Sequence, residues 1–454
     1  MQDLASKRVC RQCLDDEKYL TELIAQDSHS NKPCNYCDSG HLTLSLETLA
    51  YQTDWLIENY YQVGGYNPGT DEMEGESLDE ILGNEISPDE RIIADLTEWL
   101  NEQWFDYSSH EHKYGDDPSF IAAVTLSGKV SGKWSSMEKK LRESVRFFNT
   151  EALETFDEVF TYIKENHPSA FISFDQGNNI FRARIFQSEI ALGKALRTPE
   201  DSFGPPPSEI APAGRMNARG ISVFYGATSK KNAVSEVRPP VGSYVVVSEF
   251  KLLRTVTLLD LTTLGELTIS GRGRSRFDPK TLEAYELVSF INRLSRKMVM
   301  PVVPELQESN YLLTQAIADY LSTSRHFELD GIMFPSAQQA VDSRNPDARN
   351  IILFHKSSRV KNSGRRKREA IVDLYETDET GDYFEPGIMT SEEDYLPQLT
   401  LLSGMKSPDD VLELNLDGIE IHEITGVDYN TRRAGVKHYK RLPSHLNSML
   451  NKST

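Results

Sequence analysis

The sequence predicts an α+β protein of several domains, and three observations predict it. All four cysteines fall within the first 37 residues. Apolar residues recur at helical spacing from 45 to 168, and short apolar runs of strand character crowd 169–362. At 454 residues the chain has room for about two to four domains and a sizeable core. We place a cysteine-bearing segment at 1–44 and a helical domain at 45–168. A sheet domain at 169–362 comes next, and 363–454 hold an acidic linker and a small C-terminal β appendage.

Charge narrows the function. A formal charge of −20 and a pI near 5.0 argue against general affinity for polyanions, so nucleic acid is not an expected partner. No apolar run approaches the ~20 residues that cross a bilayer, and MQDLASKRVCRQC lacks the apolar core of a signal peptide. The expectation is a cytoplasmic chain with no membrane partner.

Residues 1–44 carry Cys10-x-x-Cys13 and Cys34-x-x-Cys37, separated by 20 residues. Two such knuckles suit a tetrahedral Zn²⁺ held by four thiolates, and a closed Cys₄ shell keeps no position for catalytic water. The expected zinc is therefore structural, stabilising a segment too small for a core of its own. Free thiols or two disulfides are the alternatives, with His29 and His41 as spare ligands.

From 45 to 168 the periodicity is helical. Leu46, Leu49, Tyr51, Trp55, Leu56 and Tyr60 form one amphipathic pattern, and Ile92, Ile93, Leu96, Trp99, Leu100 and Trp104 a second. Ser87-Pro88-Asp89-Glu90 reads as a capping box for the second helix, with proline at its first position. Between them, 67–90 holds nine acids and no Lys or Arg, which reads as a solvated loop. A third helix or pair spans Ser135–Asn166.

In 169–362, FISF and NIFRAR read as strands, and Leu192-Gly193 and Pro199 break up the next segment. Asp201–Pro212 is a loop with four prolines, long enough to shape a pocket rim. SYVVVSEF and TVTLLDLT alternate as two adjacent strands. Phe277–Met300 and Ser309–Ser324 are helical, and Gly331–Pro335 and Asn350–His355 return to strand. No GxGxxG or Walker loop is present. After 363, RRKR at Arg365–Arg368 precedes nine acids in 370–405. Leu412, Leu414, Ile419 and Ile421 then alternate around Asp417-Gly418, a hairpin turn signal.

The stretch Gly214–Glu236, GRMNARGISVFYGATSKKNAVSE, organises the sheet domain. A loop leads into the apolar run Ile221–Tyr225, which breaks at Gly226 and enters a short helix that stops at Pro239-Pro240. Arg215, Tyr225 and Glu236 thus fall on a loop, a strand end and a helix, positions from which grooves are commonly lined.

Arg215-Met216-Asn217, Tyr225 and Glu236 resemble, in order and spacing, the motif of the RES domain. FRAR at Phe181–Arg184 and DGIMFPS at Asp330–Ser336, with NIILF at Asn350–Phe354 after it, match as flanking pieces. The resemblance covers about 169–362. It implies an ADP-ribosyltransferase-like fold with a split β-sheet, which this many short strands also fits, and membership among bacterial toxins that destroy NAD. The helical region with its zinc knuckles is similar to the HEPN-type domain that accompanies some RES domains. The Arg-then-His pair of catalytic HEPN ribonucleases is absent: Arg146 precedes Phe-Phe-Asn-Thr-Glu, and neither His110 nor His112 has an Arg suitably upstream.

The resemblance also implies roles. Cleavage of the nicotinamide–ribose bond passes through an oxocarbenium-like sugar cation. Glu236 would stabilise that cation, Tyr225 would stack on nicotinamide, and Arg182 with Arg215 would hold phosphate oxygens, Arg184 assisting. Asn217 and Ser336 would orient the ligand. Each residue has a structural alternative: Tyr225 as core, Glu236 as a surface ion pair with Arg238, Arg182 and Arg184 on a wet strand face, Ser336 as a turn residue. Arginine-modifying relatives of the fold carry a second Glu where this chain has Val234, which favours water or phosphate as acceptor. The expected function is NAD consumption in a toxin–antitoxin or phage-defence setting, with NAD as substrate, a protein inhibitor or antitoxin as partner, and a homo-oligomer left open. ADP-ribosyl transfer to a macromolecule, or a non-catalytic zinc-containing adaptor, are the alternatives.

Overall fold

In the N-terminal segment β1 (Arg8–Cys10) pairs antiparallel with β2 (Thr43–Ser45), and α1 (Lys18–Gln26) lies between the two knuckles in sequence. The Ser45 hydroxyl, accepting from Thr48 N, starts α2 (Leu46–Tyr60). Ser77 and Glu80 form a reciprocal capping box that opens α3 (Leu78–Glu85). Asp89 caps α4 (Glu90–Trp104), accepting from Arg91 N. The structure corrects two expectations in this region. The capping box is at Ser77, not Ser87, because Asp89 takes the N-cap of α4 and leaves Pro88 outside the helix. The acidic 67–90 stretch is not all loop either: it holds α3, whose Leu78, Ile81 and Leu82 are buried. These helices and the cysteine segment share one apolar cluster containing Leu49, Leu56, Leu96, Trp99 and Trp104.

This computed structural model describes residues 4–267, 275–300, 310–336, 349–361, 370–389 and 409–438, less 5, 15–17, 28–30, 38, 68–71, 116, 125–127, 380, 429, 430 and 432. His29 and Arg365–Arg368 lie outside the described residues.

The expected helix pair before 168 is α5 (Lys129–Glu143) and α6 (Thr150–Asn166), the latter capped by Asn149. Both share a hydrophobic core with the large sheet. Its strands begin with β3 (Phe171–Phe174), β4 (Asn179–Phe186), β5 (Phe224–Ala227), β6 (Tyr244–Leu252), β7 (Val256–Asp260), β8 (Gly331–Pro335) and β9 (Arg349–Leu353). Helices α7 (Glu189–Arg197), α8 (Pro199–Phe203) and α9 (Lys230–Val237) fall between β4 and β6. Helices α10 (Leu261–Gly265), α11 (Pro279–Val299) and α12 (Leu312–Thr323) fall between β7 and β8. α7 runs through Leu192-Gly193, expected to be a break, because Leu192 is buried and holds that turn against the sheet.

The C-terminal region adds a hairpin, β10 (Ile371–Asp378) with β11 (Gly381–Met389), and one long strand, β12 (Leu412–Glu423). The large sheet has eight strands in the order β12-β6-β4-β5-β9-β8-β7-β3. It is mixed: β7 and β8 run parallel across the long helical crossover, and the other neighbours run antiparallel.

Side-chain alternation divides the sheet's burial between its two faces. Leu259, Ile332 and Ile352 join Trp134, Phe160, Ile291 and Leu321 in one core. Leu258, Met333 and Ile351 face the other way, toward Leu192, Phe203 and Phe250.

Three further expectations change. SYVVVSEF and TVTLLDLT form β6 and β7, which do not pair: β4, β5, β9 and β8 lie between them. Asp417-Gly418 turns no hairpin, and among the described residues 412–423 join the large sheet rather than form an appendage of their own. Residues 412–423 run as one edge strand along β6 with a register shift at Val247/Glu249, and the extra β12 residues are taken up there as a bulge. The acidic region after 370 holds a hairpin rather than a plain linker. Tyr375 Oη donates to Glu189 of α7, and Phe384 stacks on Tyr244 of β6.

Candidate active site and metal centre

The site begins with a break in the sheet. β4 pairs with β6 over eight residues but meets β5 at one pair only, Phe181↔Ala227. The strands diverge from that point, and the guanidinium of Arg182 bridges the gap, Nη1 donating to the Tyr225 carbonyl at 2.9 Å. Gly226 permits the close approach beside the break. A Cβ there would fall 2.4 Å from Ile180 Cγ2 and 3.2 Å from the Phe181 carbonyl oxygen.

The residue types set the next two elements. Phe224 and Tyr225 alternate, so Phe224 enters one core and Tyr225 packs against the other. Ser229 caps α9 by accepting from Asn232 N. The helix ends where Arg238 turns left-handed (φ 48°), ahead of Pro239-Pro240. Glu236 therefore sits in the last turn, exposed at the mouth of the gap.

A cavity of about 160 Å³ occupies the divergence. Its lining includes Phe181, Arg182, Tyr225, Gly226, Glu236, Phe334 and Asn350. Three of the four residues assigned catalytic roles from sequence thus meet in one place. Tyr225 presents its ring; its hydroxyl donates to Asn217 Oδ1 at 2.8 Å and accepts from Met216 N at 3.2 Å. Burial pushes its phenol up to about 12, so the group stays neutral at physiological pH.

Arg182 is the most unusual group. Burial, and then the charge on Arg184, push its pKa down to about 9, while Tyr225 favours the charged form only slightly. Arg184 is lowered by burial as well and donates to the Gly204 carbonyl at 2.8 Å. Both Nε–H groups are buried without a partner, and no carboxylate among the described residues pairs with either guanidinium. Two half-buried cations lacking an acid favour an anion in the gap.

The remaining assignments land less directly. Arg215 lies over the ring of Phe334, 5.9 Å from its centroid, and donates to the Val299 carbonyl at the end of α11. Asn217 is a loop clamp: its amide donates to the carbonyls of Pro212, Ala218 and Ile221, and its oxygen holds Tyr225. Gly214 makes that clamp feasible, since a Cβ there would come within 2.5 Å of both Asn217 Oδ1 and Tyr225 Oη. Ser336 stands just past the end of β8, buried and outside the cavity lining.

Phe334 and Asn350 line the cavity but were not singled out from the sequence. Their signal lay in the matching pieces DGIMFPS and NIILF; their place beside β5 depends on a strand order no local pattern specifies.

A larger cleft of about 870 Å³ lies along Pro205–Pro207 and His355–Lys361. It holds none of the residues given catalytic or binding roles from sequence. Two of its cations are already matched, Arg359 with Asp409 and Asp410, and Lys361 with Glu413. The smaller cavity is therefore the candidate site.

At the N-terminus the four cysteines converge. The Sγ atoms of Cys10, Cys13, Cys34 and Cys37 all lie within 4.8 Å of one another, with separations of 3.7 Å for Cys10–Cys13, 3.5 Å for Cys10–Cys37 and 3.9 Å for Cys13–Cys34. Thiolates about 2.3 Å from a tetrahedral metal stand close to this far apart. Tyr36 N donates to Cys34 Sγ at 3.5 Å, a backbone contact that suits a thiolate. The four could hold one metal ion.

A mixed sheet that splits at a cationic, aromatic and carboxylate-bearing gap defines the class of this site. Residues 183–373 match the RES domain, so the chain carries a RES domain, with Arg182 just outside the matched span. No curated protein and no solved structure matches the chain.

Proposed function

We propose that this protein consumes NAD by cleaving the bond between nicotinamide and ribose. The observation that carries the reading is the joining of Arg182, Tyr225 and Glu236 in one gap of a RES-type sheet, with two half-buried guanidiniums lacking an acid. The Tyr225 ring would stack on nicotinamide. The Glu236 carboxylate would accept from a ribose hydroxyl and stabilise the sugar cation as the neutral nicotinamide departs. Arg182, with Arg184 behind it and Arg215 at the Phe334 side, would meet the pyrophosphate.

Ligand pockets commonly measure about 300–1,000 Å³. A cavity of about 160 Å³ suits the nicotinamide end, and the rest of the dinucleotide would lie along the mouth of the gap. Water or phosphate is the favoured acceptor, because Val234 occupies the position of the second glutamate.

The N-terminal cysteines would hold a structural zinc. The helical region around them is the part that resembles HEPN-type domains, and it would regulate or recruit. A toxin–antitoxin or phage-defence setting with a protein inhibitor, and a cytoplasmic location, rest on the resemblance alone. Among the described residues no helix is long and apolar enough to cross a membrane.

The deciding experiment incubates purified protein with NAD and monitors free nicotinamide and the mass of the protein. Nicotinamide with ADP-ribose or its phosphate in solution supports the proposal. One ADP-ribose added to a macromolecule would favour transfer, and no nicotinamide release would leave the adaptor reading.

A further inference from the structure

We infer that Asn350 is the positioning residue for Glu236, with Asn232 as its buttress. The inference deepens the proposed reaction and rests on it for its kinetic test, though not for its structural one. Asn350 is 2 % exposed and stands on β9, opposite Ala227 of β5 and Phe334 of β8. Its Nδ2 donates to Glu236 Oε2 at 2.9 Å. Its Oδ1 accepts from Asn232 Nδ2 at 3.0 Å, and the same Asn232 nitrogen donates to the Arg349 carbonyl at 2.9 Å. Asn232 is fully buried on α9, with its own backbone N–H on the Ser229 cap.

The orientation of both amides is fixed by this chemistry. A carbonyl and an ionised carboxylate only accept. Turning Asn232 over would set its oxygen against the Arg349 carbonyl and Asn350 Oδ1. Turning Asn350 over would set its oxygen against Glu236. The line Asn232–Asn350–Glu236 is therefore directional, and it ends with an N–H aimed at one carboxylate oxygen.

That anchor matters because Glu236 is otherwise an exposed residue in the last turn of an eight-residue helix. Such a side chain ranges over several rotamers and loses them at an entropic cost when it must act. With Oε2 held on a buried strand, Oε1 is left for the cavity. Asn350 also ties α9 to the sheet beside the gap, since β9 pairs with β5 on one edge while α9 comes after β5 in the chain. Asn350 thus orders a group already formed, and adds no acid, base or nucleophile.

The test compares Asn350→Ala and Asn350→Asp in both the wild-type and the Glu236→Gln backgrounds. We expect Asn350→Ala to lower kcat for nicotinamide release by about ten- to a hundredfold with KM changed less than about threefold, as loss of a hydrogen bond to a charged group implies. Asn350→Asp, though isosteric, should be the worse variant, because it places a second acceptor against the carboxylate. In the Glu236→Gln background Asn350→Ala should cost little more, since its effect passes through a carboxylate already removed. A merely structural Asn350 gives the opposite pattern: Asp better tolerated than Ala, and equal losses in both backgrounds. That outcome overturns the inference.

Crystal structures of wild type and of Asn232→Ala read the same claim without turnover. Glu236 leaving its single position in the variant supports the inference. An unmoved Glu236 overturns it, even if the protein releases no nicotinamide and the reaction itself is refuted.

Discussion

Arg182 is held in the sheet against its own electrostatics. Its guanidinium is half-buried beside a second one, with a buried, unpartnered Nε–H, one hydrogen bond to the Tyr225 carbonyl and the Phe224 ring 5.2 Å away. Desolvating a cation without an acid opposes folding, and an apolar side chain of similar length removes that opposition. Arg182→Met is therefore predicted to melt at or above the wild-type temperature while nicotinamide release falls at least about tenfold. A Met variant that melts well below wild type would show that the bond to Tyr225 outweighs the desolvation. At this scale the sequence was most legible in the grouping of Arg182, Tyr225 and Glu236, which line one cavity. At Asn217, whose type suits a ligand, the side-chain groups bond to the loop carbonyls and to Tyr225. The sequence was silent at Asn350, because an asparagine before an apolar run carries no local mark of the carboxylate it will meet 114 positions away.

Helix α11 links distant parts of the molecule. Phe277, just before its start, is 1 % exposed and joins the apolar cluster of the N-terminal helices. Its neighbour Arg276 pairs with Glu85 and lies over the rings of Tyr60 and Tyr61. At the other end, the Val299 carbonyl takes the guanidinium of Arg215. Phe277→Ala should destabilise the N-terminal cluster by about 3–5 kcal/mol, the usual loss for a large buried aromatic. The check is the denaturation midpoint read by the fluorescence of Trp55, Trp99 and Trp104, all in or against that cluster, in a Trp134→Phe background. A midpoint within error of wild type would mean that the contact is incidental. The helix itself was legible from its apolar period; its anchor was not, because Arg276-Phe277 shows no pattern of its own. Asp417-Gly418 fails for the reverse reason. It is a strong turn signal by residue type, but β6 offers a continuous edge, and pairing along that edge absorbs the turn as a bulge.

Across the whole molecule, the cysteine segment and first helices share one core, and the RES sheet with its flanking helices builds others. The cysteine spacing was fully legible, since four thiols in two knuckles leave few geometries. About one zinc per chain is expected. Cys13→Ser combined with Cys34→Ser should remove it and unfold residues 4–45, as read by elemental analysis and hydrogen exchange; wild-type protein without zinc would refute this. The sheet order was not legible, because alternation marks a strand but does not name its neighbours. The split between β4 and β5, and therefore the site, came only with the fold. The purpose of the split turns on Glu236, the carboxylate at its mouth. Glu236→Gln keeps the size and most hydrogen bonding but removes the charge that would face the sugar cation. The direct measurement is nicotinamide release from NAD by wild type and by this variant, with NAD binding measured alongside. Expected are release by wild type, a fall of about a hundred- to a thousandfold in the variant (~3–4 kcal/mol of transition-state stabilisation), and a much smaller change in binding. Release by the Gln variant at the wild-type rate would contradict the proposed role of Glu236.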